Sequence, residues 1–568
     1  MDRDQMLWQL GVTLPALPPK LEDSHAPPGS RPSDPNNPEG NWTDDAAHTI
    51  TRSGNGLWNN YDDHPDGLFP GPEAWRVGDY TPIDLLALRE RKGGRGHGRA
   101  HMRRIDSPEE WWLLKRPEIK QNVETLMWGV IPKNTPKVTF TVVETTGGTG
   151  AGQTPYVQKA ITGAIDTSGY PEVRNVPTLT GILRIPANHT GPVPVIVTFS
   201  NSPDAWLARV APYGWGVLAY NSNTLQPDFA FANGTFDTGG TFLTSYLIGL
   251  VNKGNWRKPS DWGTLAAWSW GISRFIDYFE TDPDVDATKI GVTGHSRYGK
   301  ATLVAMAYEP RLAIGYPSCG GSLGTKMNRR HWGQDLENSA WDQEYHWMAG
   351  AFMNWMGELE PGRYLPRKIE KLPVDAHSLL SLVAPRPVFL NGGTQDSWTD
   401  PYGMFLTTVE ASPVYELLGG KGMIMPDEKP QVNVAYSEGD LGFRYHDGGH
   451  TDALDAPAFL EFAKRYFDNH APQISAGQKF TAYTQWPWAR IGEVSVTDAD
   501  NQPVGNWQIT GGSGAWIFQV DRDTGELSVR RHADLDDRSY RLELSASDGI
   551  TSAHGAVTID VKGRKRRH

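Results

Sequence analysis

From about residue 120, the hydrophobic and polar positions of the chain follow two alternating patterns. Strand-like alternation occurs at KVTFTVVET (137–145), TGILRIP (180–186), VPVIVTFSN (193–201) and GWGVLAYN (214–221). Residues 261–280, DWGTLAAWSWGISRFIDYFE, are apolar at helical spacing, which predicts a buried crossover helix with Trp268 and Trp270 in the core. Strands interleaved with such helices predict a sheet covered by helices.

A short strand and a helix flank a single serine in GVTGHSRYGK (291–300). TKIGVTG predicts the strand, KATLVAMAYEP predicts a helix that ends at Pro310, and Ser296 lies between them. Ser296 is either a nucleophile on a strand-to-helix elbow or a small polar residue in a glycine-rich turn. The segment departs from the elbow pattern G-x-S-x-G, because Tyr298 takes the place of the second glycine and Gly299 follows it.

Two later segments favour the nucleophile. A serine hydroxyl needs a base, a carboxylate that orients this base, and donors for the oxyanion. The predicted strand VFLNGG (388–393) is followed by Asp396 and Asp400, and FRYHDGGHTDAL (443–454) supplies His446 and His450. The order serine, acid, histidine is that of α/β-hydrolases.

Between the two histidines, the flanking residues favour His450. Two glycines precede it and permit a close approach to the serine. The alternative for each histidine is a structural or surface role.

After about residue 472 the helical periodicity stops and short alternating segments begin. WIFQVDRDTGELSVRR and SYRLELSASDG predict strands joined by turns, with Asp523-Thr524-Gly525 as one turn. We therefore predict a three-layer α/β-hydrolase sandwich with an extended N-terminal arm and a small C-terminal β-sandwich. The expected divisions are an arm with loops (1–104), the α/β-hydrolase domain (105–472), the β-sandwich (473–562) and a basic tail (563–568).

The predicted arm contains two unusual stretches. Residues 19–75 are dense in Pro, Gly, Asn and Asp and indicate an extended segment. RERKGGRGHGRAHMRR (89–104) is basic and glycine-rich, which is typical of a solvated loop, although it could contact an acidic ligand.

Charge and composition exclude several classes of function. The formal net charge of −12 argues against a nucleic-acid partner. Cys319 is the only cysteine, so no internal disulfide is possible. No apolar run is long enough to span a bilayer. The start, MDRDQMLWQLGV, does not read as a signal peptide, so either the protein is cytosolic or a signal is missing from this sequence.

Gly294-His295-Ser296-Arg297-Tyr298-Gly299-Lys300 resembles the G-[C/H]-S-R-x-G-K signature of glucuronoyl esterases, carbohydrate esterase family 15. The resemblance covers roughly residues 105–470. It includes the stretches WLLKRPEI, WGTLAAWSWGISRFIDY, SCGGS, EYHW, DSWTDP and GGH. It implies a serine esterase that hydrolyses esters of glucuronic or 4-O-methylglucuronic acid, as in lignin–carbohydrate linkages of glucuronoxylan.

The resemblance also implies individual roles. Ser296 matches the nucleophile, and Arg297 matches an arginine whose backbone N–H and guanidinium stabilise the oxyanion. Lys300 matches a lysine that binds the hydroxyls of the uronic acid.

Two further positions resemble the sugar site of the family. Trp398 matches a tryptophan that lines this site, and Glu344 falls where the family has a sugar-binding glutamate. The glutamine that some members place eight residues before that glutamate is absent, because Leu336 is there.

The chain departs from many members in its triad acid. Those members use a glutamate at the start of the glycine-rich segment after the nucleophile helix, but residues 316–321, YPSCGG, contain no carboxylate. As in a subset of bacterial members, Asp396 is then the expected acid, with Asp400 as the alternative. Asp447 and Asp452 rank lower, because neighbours on one loop seldom point at each other's rings.

The C-terminal block resembles a cadherin-like domain. The matching positions are Phe518, Asp521, Thr524-Gly525, Leu527, Leu535-Asp536, Tyr540, Leu542, Leu544, Ala546 and Asp548. Asp498-Ala499-Asp500 resembles a calcium-binding cluster, but Arg538 stands where the pattern L-D-x-E has its glutamate. We expect no metal and no cofactor.

The expected partner is a glucuronoxylan or lignin–carbohydrate ester, with no nucleic acid and no membrane span, and the expected state is a monomer outside the cytoplasm, extracellular or periplasmic. Two alternatives stay open. One is another ester hydrolase, of the acetylxylan type. The other is a non-catalytic binding or adhesion protein, which would explain the cadherin-like block and the 22 tryptophans.

Overall fold

The computed structural model describes residues 6, 9–10, 51–53, 56–58, 81–91, 100–148, 155–170, 175–228, 231–232, 235–236, 241–330, 344–355, 369–396, 399–427, 429–485 and 490–563. Most of the predicted arm at 19–75, the tail at 564–568, Leu336 and Trp398 lie outside these residues.

A ten-stranded mixed sheet forms the centre of the molecule. The strands before residue 473 are β1 (Thr51–Ser53), β2 (Gly56–Trp58), β3 (Ala87–Arg91), β4 (Ala100–Arg104), β5 (Val138–Gly147), β6 (Tyr156–Ile165), β7 (Thr178–Pro186), β8 (Val193–Phe199), β9 (Gly216–Asn221), β10 (Phe231–Ala232), β11 (Thr235–Phe236), β12 (Val285–His295), β13 (Ile314–Ser318), β14 (Val388–Gly393), β15 (Ala435–Tyr436) and β16 (Leu441–His446). The pairs β1–β2, β3–β4 and β10–β11 form separate two-stranded sheets, and the ten-stranded sheet has the order β15-β16-β14-β13-β12-β8-β9-β7-β6-β5. Within it the pairs from β16 through β9 are parallel, and β5, β6, β7 and β15 pair antiparallel with their neighbours.

Helices cover both faces of this sheet. They are α1 (Pro108–Glu110), α2 (Arg116–Val123), α3 (Asp204–Val210), α4 (Tyr246–Val251), α5 (Thr264–Phe279), α6 (Arg297–Tyr308), α7 (Ala376–Ser381), α8 (Pro401–Leu417) and α9 (Ala456–Phe467). The strand pleat divides the core: Val195 and Val197 of β8 pack into one cluster, and Ile196 between them packs into the other, with residues of α3 and α9. This is the predicted three-layer α/β arrangement.

The predicted crossover helix is confirmed as α5. Trp268 and Trp270 are both buried in the main core. Among the tryptophans that the structure describes, the fully enclosed ones are Trp111, Trp128, Trp262, Trp268, Trp347 and Trp507. These six tryptophans therefore contribute to core packing.

The basic stretch at 89–104 differs from the predicted loop. Its two flanks form the antiparallel hairpin β3–β4, with Arg89 opposite Met102 and Leu88 opposite Arg103. Alternation explains the hairpin: Leu88 packs on the main core, while Arg89 and Met102 are exposed.

Residues after 472 form small β-sheets around a separate core. The strands are β17 (Gln473–Ile474), β18 (Lys479–Tyr483), β19 (Gly492–Glu493), β20 (Val496–Thr497), β21 (Gly505–Gly511), β22 (Phe518–Val520), β23 (Glu526–Val529), β24 (Ser539–Ser547) and β25 (Ser552–Lys562). The larger sheets have the orders β18-β25-β24-β21 and β19-β23-β22. Gln508 joins this region to the α/β part, because it accepts a hydrogen bond from Trp112 Nε1 (2.9 Å) and donates one to the Leu418 carbonyl (2.7 Å).

The parallel strands also determine where chemistry can occur. β12, β13, β14 and β16 run in one direction, so the residues that follow them gather at one edge of the sheet. Among the helices described, none is both long and apolar enough to cross a membrane.

Candidate active site

Ser296 lies on a strained turn between β12 and α6. Its backbone has φ 61° and ψ −123°, a combination that a residue with a side chain rarely adopts. The Ser296 N–H donates to the Ser318 carbonyl (3.0 Å), and its carbonyl accepts from Gly299 N (2.8 Å) and Lys300 N (3.1 Å). The turn is therefore held from both sides, as a nucleophile elbow requires.

Two glycines explain how the elbow tolerates Tyr298. A Cβ on Gly294 would lie 2.3 Å from the Tyr298 carbonyl oxygen, and a Cβ on Gly299 would lie 2.4 Å from the Ser318 carbonyl oxygen. The second position that must lack a side chain is thus Gly299. The ring of Tyr298 instead stacks on Phe199, with centroids 5.3 Å apart.

His450 and Asp396 form a hydrogen-bonded pair beside this elbow. His450 Nδ1 lies 2.7 Å from Asp396 Oδ2, which also accepts from Thr399 Oγ1 (2.7 Å). Asp396 is fully buried. Burial alone would raise the pKa of Asp396, but the charge and hydrogen bond of His450 hold it below its ordinary value.

The ring of His295 connects the pair to the Ser296 turn. It precedes Ser296 and lies 4.3 Å from the ring of His450, while its Nδ1 is 3.3 Å from Ser318 Oγ. Burial, and next the neighbouring His450, lower the pKa of His295 to about 4. His295 is therefore neutral near pH 7.

Cys319 directly follows β13, in the segment 316–321 that contains no carboxylate. Its Sγ lies within 4.8 Å of both the Asp396 carboxylate and a ring nitrogen of His450. Burial raises the pKa of this thiol well above its ordinary value, so it is not a thiolate near pH 7.

Arg297 begins α6 and is held by a buried carboxylate. Its Nη1 lies 2.6 Å from Asp228 Oδ2, and its guanidinium carbon lies 5.5 Å from the ring centre of Trp347. Asp228 also accepts from Trp347 Nε1 (2.5 Å) and contacts His346 Nε2 (3.1 Å). Burial opposes ionisation of Asp228, but His346 and Arg297 keep its pKa below the ordinary value.

Lys300 is buried one turn further along α6. Its Nζ donates to the carbonyls of Gly320 (2.7 Å) and Ser322 (2.6 Å). Burial lowers the pKa of Lys300 to about 8, although the charge of Glu344 opposes this shift. Burial opposes the charge of Arg297, but its pKa is raised by the charge and hydrogen bond of Asp228 and, less strongly, by the charge of Glu344. Glu344 therefore acts electrostatically on both cations. Trp398, predicted to line the sugar site, lies outside the described residues.

The remaining predicted alternatives have other partners. Asp400 is buried, caps α8 through Gly403 N (2.9 Å) and pairs with Arg330 Nε (3.0 Å). Asp452 pairs with Arg209 (2.8 Å), and Asp447 accepts from Thr394 Oγ1 (3.0 Å). His446 pairs with Asp455, with Nδ1 and Oδ2 2.5 Å apart.

Two residues of this arrangement were missed by the sequence reasoning. Asp228 lies in an irregular loop after β9, where no pattern marks it. His295 was visible within the signature but carried no assigned role.

Comparisons with known proteins bear on the family of this chain. The family profile described as "Glucuronyl esterase, fungi" matches residues 174–419. Carbohydrate esterase MZ0003, from an unknown prokaryotic organism, is 28% identical over 413 residues, which are 65% of this chain and 88% of that protein.

Solved structures give the same result. A CE15 glucuronoyl esterase from Teredinibacter turnerae T7901 has a TM-score of 0.61 and 30% identity, and the match covers 82% of this chain and 98% of that one. The chain belongs to carbohydrate esterase family 15, the glucuronoyl esterases. A glucuronoyl esterase from Solibacter usitatus is also similar, with a TM-score of 0.56, 27% identity and coverage of 68% and 98%. As a member of this family, the protein is a carboxylic ester hydrolase with the α/β-hydrolase fold.

Proposed function

We propose that this glucuronoyl esterase hydrolyses the ester between the carboxyl group of glucuronic or 4-O-methylglucuronic acid and an alcohol, as in lignin–carbohydrate linkages of glucuronoxylan. Family membership supports the substrate class. The single observation that carries the chemistry is the Asp396–His450 pair, packed through His295 against the strained turn of Ser296.

In the first half of the reaction, Ser296 Oγ attacks the ester carbonyl carbon. His450 Nε2 takes the hydroxyl proton, and Asp396 holds Nδ1 protonated and stabilises the imidazolium that forms. The carbonyl π electrons move to oxygen, and the negative charge develops near Arg297 and the N-terminus of α6. The alcohol then leaves with the proton from His450, and an acyl-serine remains.

In the second half, water repeats the sequence. His450 removes a proton from water as the water oxygen attacks the acyl carbon. The tetrahedral intermediate collapses, the bond to Ser296 Oγ breaks, and the serine recovers its proton from His450. Glucuronate is released, and none of these proposed steps requires a cofactor.

The Asp228–Arg297 pair supports the proposed oxyanion role. An arginine held at 2.6 Å by a buried carboxylate is oriented before substrate arrives. Preorganised charge of this kind stabilises a transition state without the cost of reorganising during the reaction.

The sugar site is proposed to lie beside this arginine. Lys300, Glu344 and Trp398 are the residues to which we assign contact with the uronic acid. Two observations support a compact polar pocket next to the nucleophile. Lys300 is buried, and the charge of Glu344 acts on both Lys300 and Arg297.

The deciding experiment compares three esters: benzyl glucuronate, benzyl galacturonate and p-nitrophenyl acetate. We expect a large preference for glucuronate and complete loss of turnover in Ser296→Ala. A preference for acetate would instead indicate an acetylxylan-type esterase. A wild-type chain that neither turns over any of these esters nor is labelled at Ser296 by a phosphonate would support a non-catalytic binding protein.

The polymeric substrate leads to a proposal about location. Lignin and xylan occur outside cells, so we propose that the protein acts as a monomer in an extracellular or periplasmic space. We also propose that residues 473–562 form a cadherin-like module, because their strands enclose a core of their own.

A further inference from the structure

His446 is a buried histidine at the end of β16, four residues before His450, and the proposed mechanism does not use it. Both of its ring nitrogens have partners. Nδ1 lies 2.5 Å from Asp455 Oδ2, and Nε2 lies 2.9 Å from the Gly449 carbonyl oxygen. Neither His446 nor Asp455 is exposed to solvent.

The partners determine the protonation state of this ring. A backbone carbonyl only accepts hydrogen bonds. Asp455 accepts from Arg444 Nη1 (2.5 Å) and from Asn391 Nδ2 (2.5 Å), so its other partners are donors, and the ring nitrogen of His446 joins them as a third donor. Both nitrogens of His446 must then donate, which only the imidazolium can do. Burial disfavours this charge, but the hydrogen bond and charge of Asp455 raise the pKa of His446 above its ordinary value.

The hydrogen bond from His446 Nε2 to the Gly449 carbonyl holds the loop that carries His450. Gly449 immediately precedes His450, so its carbonyl is one peptide bond away from the proposed base. The same loop is bound to the segment before Asp396: Thr394 N donates to the His446 carbonyl (2.9 Å), and Gln395 N donates to the Gly448 carbonyl (2.9 Å). A Cβ on Gly393 would lie 2.7 Å from His446 Nε2, so the ring fills the space against this segment.

Asp455 extends the connection to the nucleophile side of the site. Its partner Asn391 accepts from Cys319 N (3.2 Å) and donates to the Thr451 carbonyl (3.3 Å). Thr451 follows His450, so the histidine loop is held on both sides of the base.

We propose that His446, as an imidazolium paired with Asp455, is a positioning residue that fixes His450 through the Gly449 carbonyl, and that its deprotonation limits catalysis at alkaline pH. This inference rests on the proposed role of His450. Loss of one ring proton leaves either the Gly449 carbonyl or the Asp455 carboxylate facing a nitrogen lone pair, which repels it. Within the described residues, the titratable and charged groups around the ring are Asp455, Arg444 and, further away, Asp396 and His295.

The test uses His446→Gln, whose amide donates to a carbonyl but does not titrate, with benzyl glucuronate from pH 5 to 10. Misplacement of a catalytic group by about 1 Å costs on the order of 100-fold in rate, so we expect kcat to fall about 10- to 100-fold with KM within about twofold. We also expect the alkaline decline of kcat, measured at saturating substrate, to disappear. A kcat within twofold of wild type, with the alkaline decline unchanged, would overturn the proposal.

The matched control is His470→Gln, which removes a histidine of another histidine–aspartate pair (Nδ1 to Asp500 Oδ1, 2.9 Å) that is exposed. Its kinetics should equal those of wild type. Should His446→Gln fail to fold, the ¹⁵N shifts of His446 in the wild-type protein decide: imidazolium values at pH 7 to 8 are expected, and a neutral tautomer contradicts the proposal. This measurement needs no turnover, so its outcome is separate from that of the proposed esterase activity.

Discussion

The ring of His295 lies 4.3 Å from the ring of His450, at an interplanar angle of 50°. This contact joins the residue before the proposed nucleophile to the proposed base. It also places a neutral imidazole where a charged one would oppose the imidazolium that His450 becomes during the reaction, because the pKa of His295 is lowered to about 4.

Removal of this ring should therefore weaken the positioning of His450. We expect His295→Ala to lower kcat for benzyl glucuronate about 10-fold or more, with little change in KM, because the base gains rotational freedom. Since His295 is neutral above about pH 5, the acid decline of kcat/KM should remain in this variant. Loss of that decline would show that His295 itself titrates in the working range.

Asp396 and Asp400 can be separated by parallel substitutions. Asp396→Asn should leave the fold intact and lower kcat by about 1,000- to 10,000-fold, because His450 loses the partner that holds its tautomer. Asp400→Asn weakens the buried pair with Arg330 and should lower the melting temperature. Steady-state kinetics and calorimetry on both variants make the comparison.

We expect one substitution to affect activity and the other to affect stability. The Asp396 variant should be inactive but stable, and the Asp400 variant less stable but active while folded. The reverse result would move the triad acid to Asp400.

From the hydrogen bonds and the lowered pKa of Lys300 we predict that substrate binding depends on pH. Two of its three ammonium protons are committed to the carbonyls of Gly320 and Ser322, which leaves one for a sugar hydroxyl in the proposed site. The pKa of Lys300 is lowered to about 8, so above this pH the amine has only two protons. We expect KM for glucuronate esters to rise as the pH increases through about 8.

Lys300→Met supplies the control. Its KM should be roughly 10- to 100-fold higher and should lack this pH dependence, while KM for p-nitrophenyl acetate changes little. Because the folded protein binds this proton less readily than the unfolded chain, Lys300 also makes the free energy of unfolding increase between about pH 8 and 10.5. An unchanged KM in the variant would contradict the sugar-site assignment.

We predict that restoring the pattern G-x-S-x-G at the Ser296 turn lowers the stability of the protein. Tyr298→Gly recreates G-x-S-x-G but removes a ring that contacts Phe199 and Trp268 and adds a glycine to α6. We expect a loss of about 2–5 kcal/mol in the free energy of unfolding, measured by urea denaturation. Gly299→Ala should cost about 1–3 kcal/mol, because its Cβ would meet the Ser318 carbonyl. A Tyr298→Gly variant as stable as wild type would contradict this interpretation.

The hydrogen bonds of Gln508 to Trp112 and Leu418 lead us to predict that the C-terminal region stabilises the α/β part. Gln508→Ala removes the donor to the Leu418 carbonyl and the acceptor for Trp112, which should lower the free energy of unfolding by about 1–3 kcal/mol. Gln519→Ala, in which an exposed hydrogen bond to Ser528 is lost, should change it by less than about 0.5 kcal/mol. Calorimetry compares the two, and equal effects would contradict a stabilising contact.

The hydrophobic and polar patterns along the chain are sufficient to predict the arrangement of strands and helices in the α/β part. Alternating strands, the helical periodicity of residues 261–280 and the chain order of Ser296, Asp396 and His450 all follow local rules. The carboxyl ends of parallel strands share one edge, so residues that follow three different strands meet there whatever the loops between them do. The motif around Ser296 is likewise local, and by itself it is enough to indicate the family.

The tertiary structure decided which side chains meet at that edge. Asp396 and Asp400 are four residues apart, yet one faces His450 and the other, at φ 52°, caps α8 and pairs with Arg330. His446 and His450 are also four residues apart, and their partners are Asp455 and Asp396. Side-chain direction in a loop depends on backbone dihedrals and distant packing, which spacing along the chain does not encode. The same reason accounts for Asp228, whose link to Arg297 bridges 69 positions of the sequence.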